Sequence, residues 1–152
     1  MSWFNRIFRK TKPKRKILFV CTGNTCRSPM AERLMKKILG SEYDVESAGL
    51  AANPDSPASD NAIEVMREHD IDLSNHRSRK LTTEMISEAD NIYVMTPYAL
   101  QAIKELVPTA NVQMLHEKGI SDPYGRNVDV YRQSADDIWN AVQQRQKDLG
   151  EH

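Results

Sequence analysis

The sequence predicts an α/β fold in which a four-stranded parallel sheet carries helices on both faces. Short apolar runs rich in strand formers alternate along the chain with longer amphipathic stretches, and such alternation favours parallel strands joined by crossover helices. The first run ends in turn formers and leads straight into a helical pattern. At 152 residues, with 39% hydrophobic and 28% charged side chains, the chain suits one globular domain.

The elements follow in order. Lys16 to Cys21 (KILFVC) reads as a buried strand feeding a loop at Thr22-Gly23-Asn24. Ser28 and Pro29 open a helix whose apolar stripe runs through Met30, Ala31, Leu34, Met35, Ile38 and Leu39, and Gly40 suits its end. Tyr43 to Ala48 alternates like a strand and stops at Gly49; Asn53-Pro54-Asp55-Ser56-Pro57 is punctuated like a loop. A helix is expected from about Ala58 to His69, with Ala62, Ile63, Val65 and Met66 largely on one face. Thr82 to Glu88 reads as a short helix, Asn91 to Met95 as a third strand, Tyr98 to Leu106 as a helix and Asn111 to Leu115 as a fourth strand. Val128 to Leu149 closes the pattern as a long amphipathic helix. In an open sheet of this kind the binding crevice lies at the carboxyl ends of the strands, where the loop after the first strand would sit.

Formal net charge is zero, but residues 1–16 hold seven Lys or Arg and no acid, leaving 14 basic against 21 acidic residues in the rest. A basic arm (1–15) thus precedes an acidic domain (16–152). The arm is read as a mobile tail. Trp3, Phe4, Ile7 and Phe8, interleaved with Arg6, Arg9 and Lys10, leave open a weak contact of residues 1–16 with an anionic membrane surface. Two cysteines five positions apart are no disulfide framework. Without a signal-peptide pattern or an apolar run near about 18 residues, a cytoplasmic location is expected. No nucleic-acid partner is expected. His69, His76, His116 and His152 show no ligand spacing, so neither a metal nor another cofactor is expected.

Chemistry concentrates in Cys21-Thr22-Gly23-Asn24-Thr25-Cys26-Arg27-Ser28. A turn that starts a helix can curl its backbone N–H groups round an anion, and the helix terminus adds positive potential. Arg27 supplies a planar fork for two phosphate oxygens, which lysine could not match. The same field favours the thiolate of Cys21, able to attack phosphorus and take up the phosphoryl group. Cys26, if it comes close to Cys21, could form a reversible disulfide that shields the nucleophile from over-oxidation. In isolation the cysteines would read as small buried residues and Arg27 as a surface charge; the strand-to-helix context overrides that reading. Far downstream, Asp122-Pro123-Tyr124-Gly125 places a carboxylic acid that could protonate a leaving group and then activate water. By itself it would be a plain Asp-Pro turn.

CTGNTCRSPMAE at 21–32 and DPYG at 122–125 resemble the low-molecular-weight protein phosphatases. The resemblance covers the chain from about Lys16 to the last helix and implies the four-stranded parallel fold of that family. It implies that Cys21 is the nucleophile, Arg27 the phosphate and transition-state clamp and Asp122 the general acid. Thr22, Gly23, Asn24, Thr25, Cys26, Ser28 and Tyr124 then surround the phosphoryl group, and Asn24, Ser28 and His76 form a network supporting the loop. Without it, His76 would read as a surface histidine in a polar stretch.

The substrates implied are phosphorylated proteins, and two subclasses compete. Tyrosine-directed members typically carry a bulky aliphatic where this chain has Thr25, whereas arginine-directed members resemble it in having threonine. A hydroxyl suits a pocket that admits a polar guanidinium. Thr96 resembles the arginine-directed pattern, where many tyrosine-directed members carry an acid. Tyr124 suits either a phenol or a stacked guanidinium, and Ala51 stands where an aromatic is expected in some members. The expectation is phosphoarginine, with phosphotyrosine as the alternative. Arsenate reduction, which resembling enzymes complete through further cysteines downstream, is disfavoured because none follows Cys26.

Overall fold

The computed structural model describes residues 14–150. Its central sheet has strands β1 (Arg15–Cys21), β2 (Tyr43–Gly49), β3 (Asn91–Val94) and β4 (Val112–Met114), in the order β2-β1-β3-β4 and parallel throughout. Helices α1 (Arg27–Ile38), α2 (Asp60–Glu68), α3 (Thr83–Glu88), α4 (Pro97–Leu106) and α5 (Val128–Gly150) connect and follow them. The basic arm and the contact considered for it lie outside the described residues, apart from Lys14 to Lys16.

The expected alternation forms, with boundaries moved by caps. Ser59 accepts the Ala62 N–H, so α2 starts at Asp60 rather than Ala58, and Thr82 caps α3 in the same way through Met85. Thr96 caps α4 by accepting the Ala99 N–H at 3.2 Å, with Pro97 opening the helix. Within β1 the side chains alternate: Ile17, Phe19 and Cys21 join the core under α1, α2 and α5, while Leu18 and Val20 join a second core under α3 and α4. Both faces of β1 are therefore dry, which explains its unbroken apolar run.

Because β1 sends one crossover to β2 and the chain then returns to β3 on its other side, the order reverses between β1 and β3. A crevice opens at such a switch point, and the loop after β1 emerges there.

Gly49 ends β2 beside that loop. Its N–H donates to the Arg79 carbonyl and its own carbonyl accepts from Leu81, both at 2.9 Å. A Cβ built on Gly49 would lie 2.7 Å from the Thr22 carbonyl oxygen and 2.9 Å from the Asn24 nitrogen. Only glycine lets the strand end pass so close to the loop backbone. Gly49→Ala is expected to lower stability by about 1–3 kcal/mol, as overpacking does, in urea unfolding.

Candidate active site

Cys21 is the last residue of β1 and is 4% exposed. The chain reverses at Asn24, whose φ of 57° lies in the left-handed region, uncommon for a residue with a Cβ and best tolerated by asparagine among them. Its side chain explains why it stays there. Nδ2 donates to the hydroxyls of Ser28 and Ser47, both at 2.9 Å, and Oδ1 accepts the Arg79 N–H at 2.8 Å. The Asn24 carbonyl lies 2.7 Å from Nε2 of His76. Asn24 is completely buried with all of these polar atoms paired.

The direction of these bonds matters more than their number. A carbonyl can only accept, so His76 carries its proton on Nε2. The Ser28 oxygen accepts from Asn24, which leaves the Ser28 O–H to donate to Cys21 Sγ 2.9 Å away. Ser47 likewise accepts from Asn24 and donates to Glu32 Oε1 at 2.8 Å. The second Glu32 oxygen meets Arg33 and Lys36. A buried carboxylate thus anchors one end of a chain whose other end offers a proton donor to the thiol sulfur.

The same loop is open toward an anion. Among the described residues, no protein acceptor pairs with the backbone N–H groups of Thr22 to Cys26, and α1 begins at Arg27. Arg27 is buried, at 4% exposure, yet its only hydrogen bond among the described residues runs from Nη1 to the Ile120 carbonyl at 2.9 Å. Its Nη2 lies 3.5 Å from Asp122 Oδ2, an ion pair beyond hydrogen-bond length. A buried guanidinium so sparsely paired is costly, and an anion in the loop would complete it.

Asp122 is held at the rim. Its Oδ1 accepts the Tyr124 N–H at 3.0 Å, so the plain turn reading is also correct, and its side chain is 53% exposed. Arg27 fastens this loop through Ile120 while Ser134 of α5 donates to the Ser121 carbonyl at 3.3 Å. Cys21, Thr22, Gly23, Thr25, Cys26 and Arg27 form the floor of a cavity of about 600 Å³, with Asp122 and Tyr124 on one wall and the 51–60 segment on the other. Tyr124 is 70% exposed at the mouth.

Cys26 is buried, as Cys21 is, and lines the same cavity. Its sulfur lies 3.3 Å from the Tyr131 hydroxyl and 3.4 Å from that of Ser59. Burial, and then the contact with Cys26, pushes the Tyr131 hydroxyl up to about 12, so Tyr131 stays neutral and can donate to the sulfur. Thr96 does not line the cavity, and its hydroxyl is committed to capping α4.

Several supporting residues escaped the sequence reading: Ser47, Glu32, Gly49 and Arg79. Glu32 carried a signal, as an acid inside the apolar stripe of a predicted helix. The others are ordinary residues in a strand and a loop, made significant only by what lies beside them.

A cradle for an anion with a sulfur at its centre serves to move a phosphoryl group onto cysteine, and the enzyme class is that of the cysteine-dependent phosphatases. Residues 16–152 match the low molecular weight phosphotyrosine protein phosphatase family, and the chain belongs to it. It is 39% identical over 144 residues to the protein-arginine-phosphatase of Bacillus subtilis, covering 88% of this chain and 95% of that one. A probable low molecular weight protein-tyrosine-phosphatase, EpsP, of Ralstonia nicotianae is 40% identical (83% and 90% covered), and arsenate reductase 2 of Staphylococcus saprophyticus is 36% identical (86% and 95%). The solved YwlE arginine phosphatase of Geobacillus stearothermophilus superimposes with a TM-score of 0.83 at 35% identity, covering 91% of this chain and 97% of that one.

Burial holds the His76 ring below the ordinary histidine range, with the Asn24 carbonyl opposing in part. The unfolded chain therefore takes up this proton at higher pH than the folded one. The stabilising contribution is present above about pH 6.5, the unfolded value, and declines as pH falls from there toward the lowered folded value. Unfolding midpoints measured from pH 7.5 to 5 should fall more steeply for wild type than for His76→Gln, which keeps a donor without a proton to gain. Parallel profiles would refute this.

Proposed function

We propose that this protein hydrolyses phosphoarginine in proteins through a phosphocysteine intermediate. The observation that carries the reading is Thr25 on the floor of the cavity beside Cys21, with Asp122 at its rim. In the proposed cycle the phosphoryl group sits against the loop N–H groups and Arg27. The Cys21 thiolate, steadied by the Ser28 O–H, attacks phosphorus while the P–N bond breaks. Asp122 hands its proton to the departing nitrogen, and arginine leaves. Asp122, now a carboxylate, takes a proton from water that attacks the phosphocysteine, releasing phosphate and restoring the thiolate.

Two features favour arginine over tyrosine. The threonine hydroxyl gives the wall a polar group where an aliphatic would leave a guanidinium N–H unpaired, at a cost of roughly 1–3 kcal/mol. Asp122, protonated for the first step, can also accept a guanidinium N–H on its second carboxyl oxygen. The relatives and the solved structure named as arginine phosphatases agree with this reading. Phosphotyrosine is the alternative: Tyr124 offers an exposed ring at the mouth, and the family as a whole takes its name from that substrate. Arsenate reduction is disfavoured because Cys21 and Cys26 are the only cysteines in the chain.

Turnover of matched phosphoarginine and phosphotyrosine peptides tests the proposal. Wild type is expected to prefer phosphoarginine, and Thr25→Ile to shift the ratio toward phosphotyrosine. Cys21→Ser should be inactive on both; activity there would refute the mechanism, and a wild-type preference for phosphotyrosine would refute the substrate. Asp122→Asn should lower kcat by about 10²- to 10⁴-fold, the usual contribution of a general acid.

A further inference from the structure

Charge is distributed unevenly over the cavity. Its one cation, Arg27, is buried at the floor, and its two acids, Asp60 and Asp122, are exposed toward the mouth. The remaining lining residues are neutral. Asp60 lines the same cavity as Asp122, and their segments are tied together: Asn61, the neighbour of Asp60 in α2, donates from Nδ2 to the Arg126 carbonyl at 3.2 Å, and the Arg126 N–H bonds to the Pro123 carbonyl at 2.9 Å. Asp60 forms no ion pair among the described residues. Capping of α2 does not need it, since the Ser59 hydroxyl provides the cap.

We propose that Asp60 is a specificity-determining residue, its carboxylate at the cavity rim admitting phosphoryl groups attached to a cation and disfavouring those attached to a neutral ring, while Asp122 carries the proton for the leaving nitrogen. An acid above an anion-binding floor repels every incoming phosphoryl group. A phosphorylated guanidinium offsets that repulsion with its own positive charge, held on the rim side when its phosphoryl group is on the floor. A phenyl phosphate has nothing with which to offset it. Discrimination thus comes from a repulsive element as well as an attractive one. The inference rests on the phosphoarginine reading above and adds a residue to it.

Positive charge can reach the rim from the leaving group or from basic side chains beside the phosphorylated residue, and three peptides separate the two. These are phosphoarginine with neutral flanks, phosphotyrosine with neutral flanks and phosphotyrosine with flanking lysines. Asp60→Asn is expected to lower the ratio of kcat/KM for the first to that for the second by about three-fold, the scale of a solvent-exposed charge pair. The loss should appear in KM, Asp60→Glu should retain the wild-type ratio, and the ratio in wild type should fall more with added salt than in Asp60→Asn. An unchanged ratio, or an effect confined to the lysine-flanked peptide, overturns the inference. A wild-type ratio favouring phosphotyrosine would instead refute the phosphoarginine reading, whatever Asp60→Asn does to it.

Discussion

The site depends on one strained residue. Asn24 holds a left-handed backbone at the end of β1, and that reversal lets the loop turn its N–H groups inward and deliver the chain into α1. Left alone, such a conformation costs about 1–3 kcal/mol. Here four partners from three segments hold it: Ser28 from α1, Ser47 from β2, and His76 and Arg79 from the long β2 to β3 connection. The bonds that hold the backbone also set the hydrogen-bond direction of Ser28, so strain and chemistry are served by the same atoms.

A second constraint joins the loop to the acid. Arg27 must be buried to face an anion on the floor, and a buried guanidinium needs acceptors. Ile120 provides one, and through it the arginine draws the segment bearing Asp122 over the cavity. With Asp122 53% exposed and 3.5 Å away, the Arg27–Asp122 pair contributes little to stability; its consequence is positional. Substrate phosphate would take over the charge of Arg27, leaving Asp122 to the leaving group.

In the proposed function, the residues that transfer the phosphoryl group and those that select the substrate differ in burial. Cys21, Asn24, Arg27 and Ser28 are buried, whereas Thr25 is half-buried and Tyr124 and Asp60 are exposed. Buried residues cannot vary without loss of geometry, while mouth residues can change with little effect on the fold. This accounts for relatives of 36 to 40% identity bearing the names of arginine phosphatase, tyrosine phosphatase and arsenate reductase.

Much of this was legible in the chain itself. The apolar run of β1, the stripe of α1 and the residues CTGNTCRS announce a strand, an anion-binding turn and a helix, because local periodicity and turn chemistry act over a few residues. Helix starts shifted at α2, α3 and α4, where a serine or threonine hydroxyl claimed a cap, and by one residue at α1, which has no side-chain cap. Tertiary structure decided what no local pattern encodes. It buried His76 against Asn24, joined Ser47 and Glu32 to the loop, required Gly49 to lack a side chain and brought Asp60 and Asp122 to one cavity. Each of these depends on segments tens of residues apart meeting in space, and hydrogen bonds and charges at 3 Å leave no trace in the spacing of a sequence.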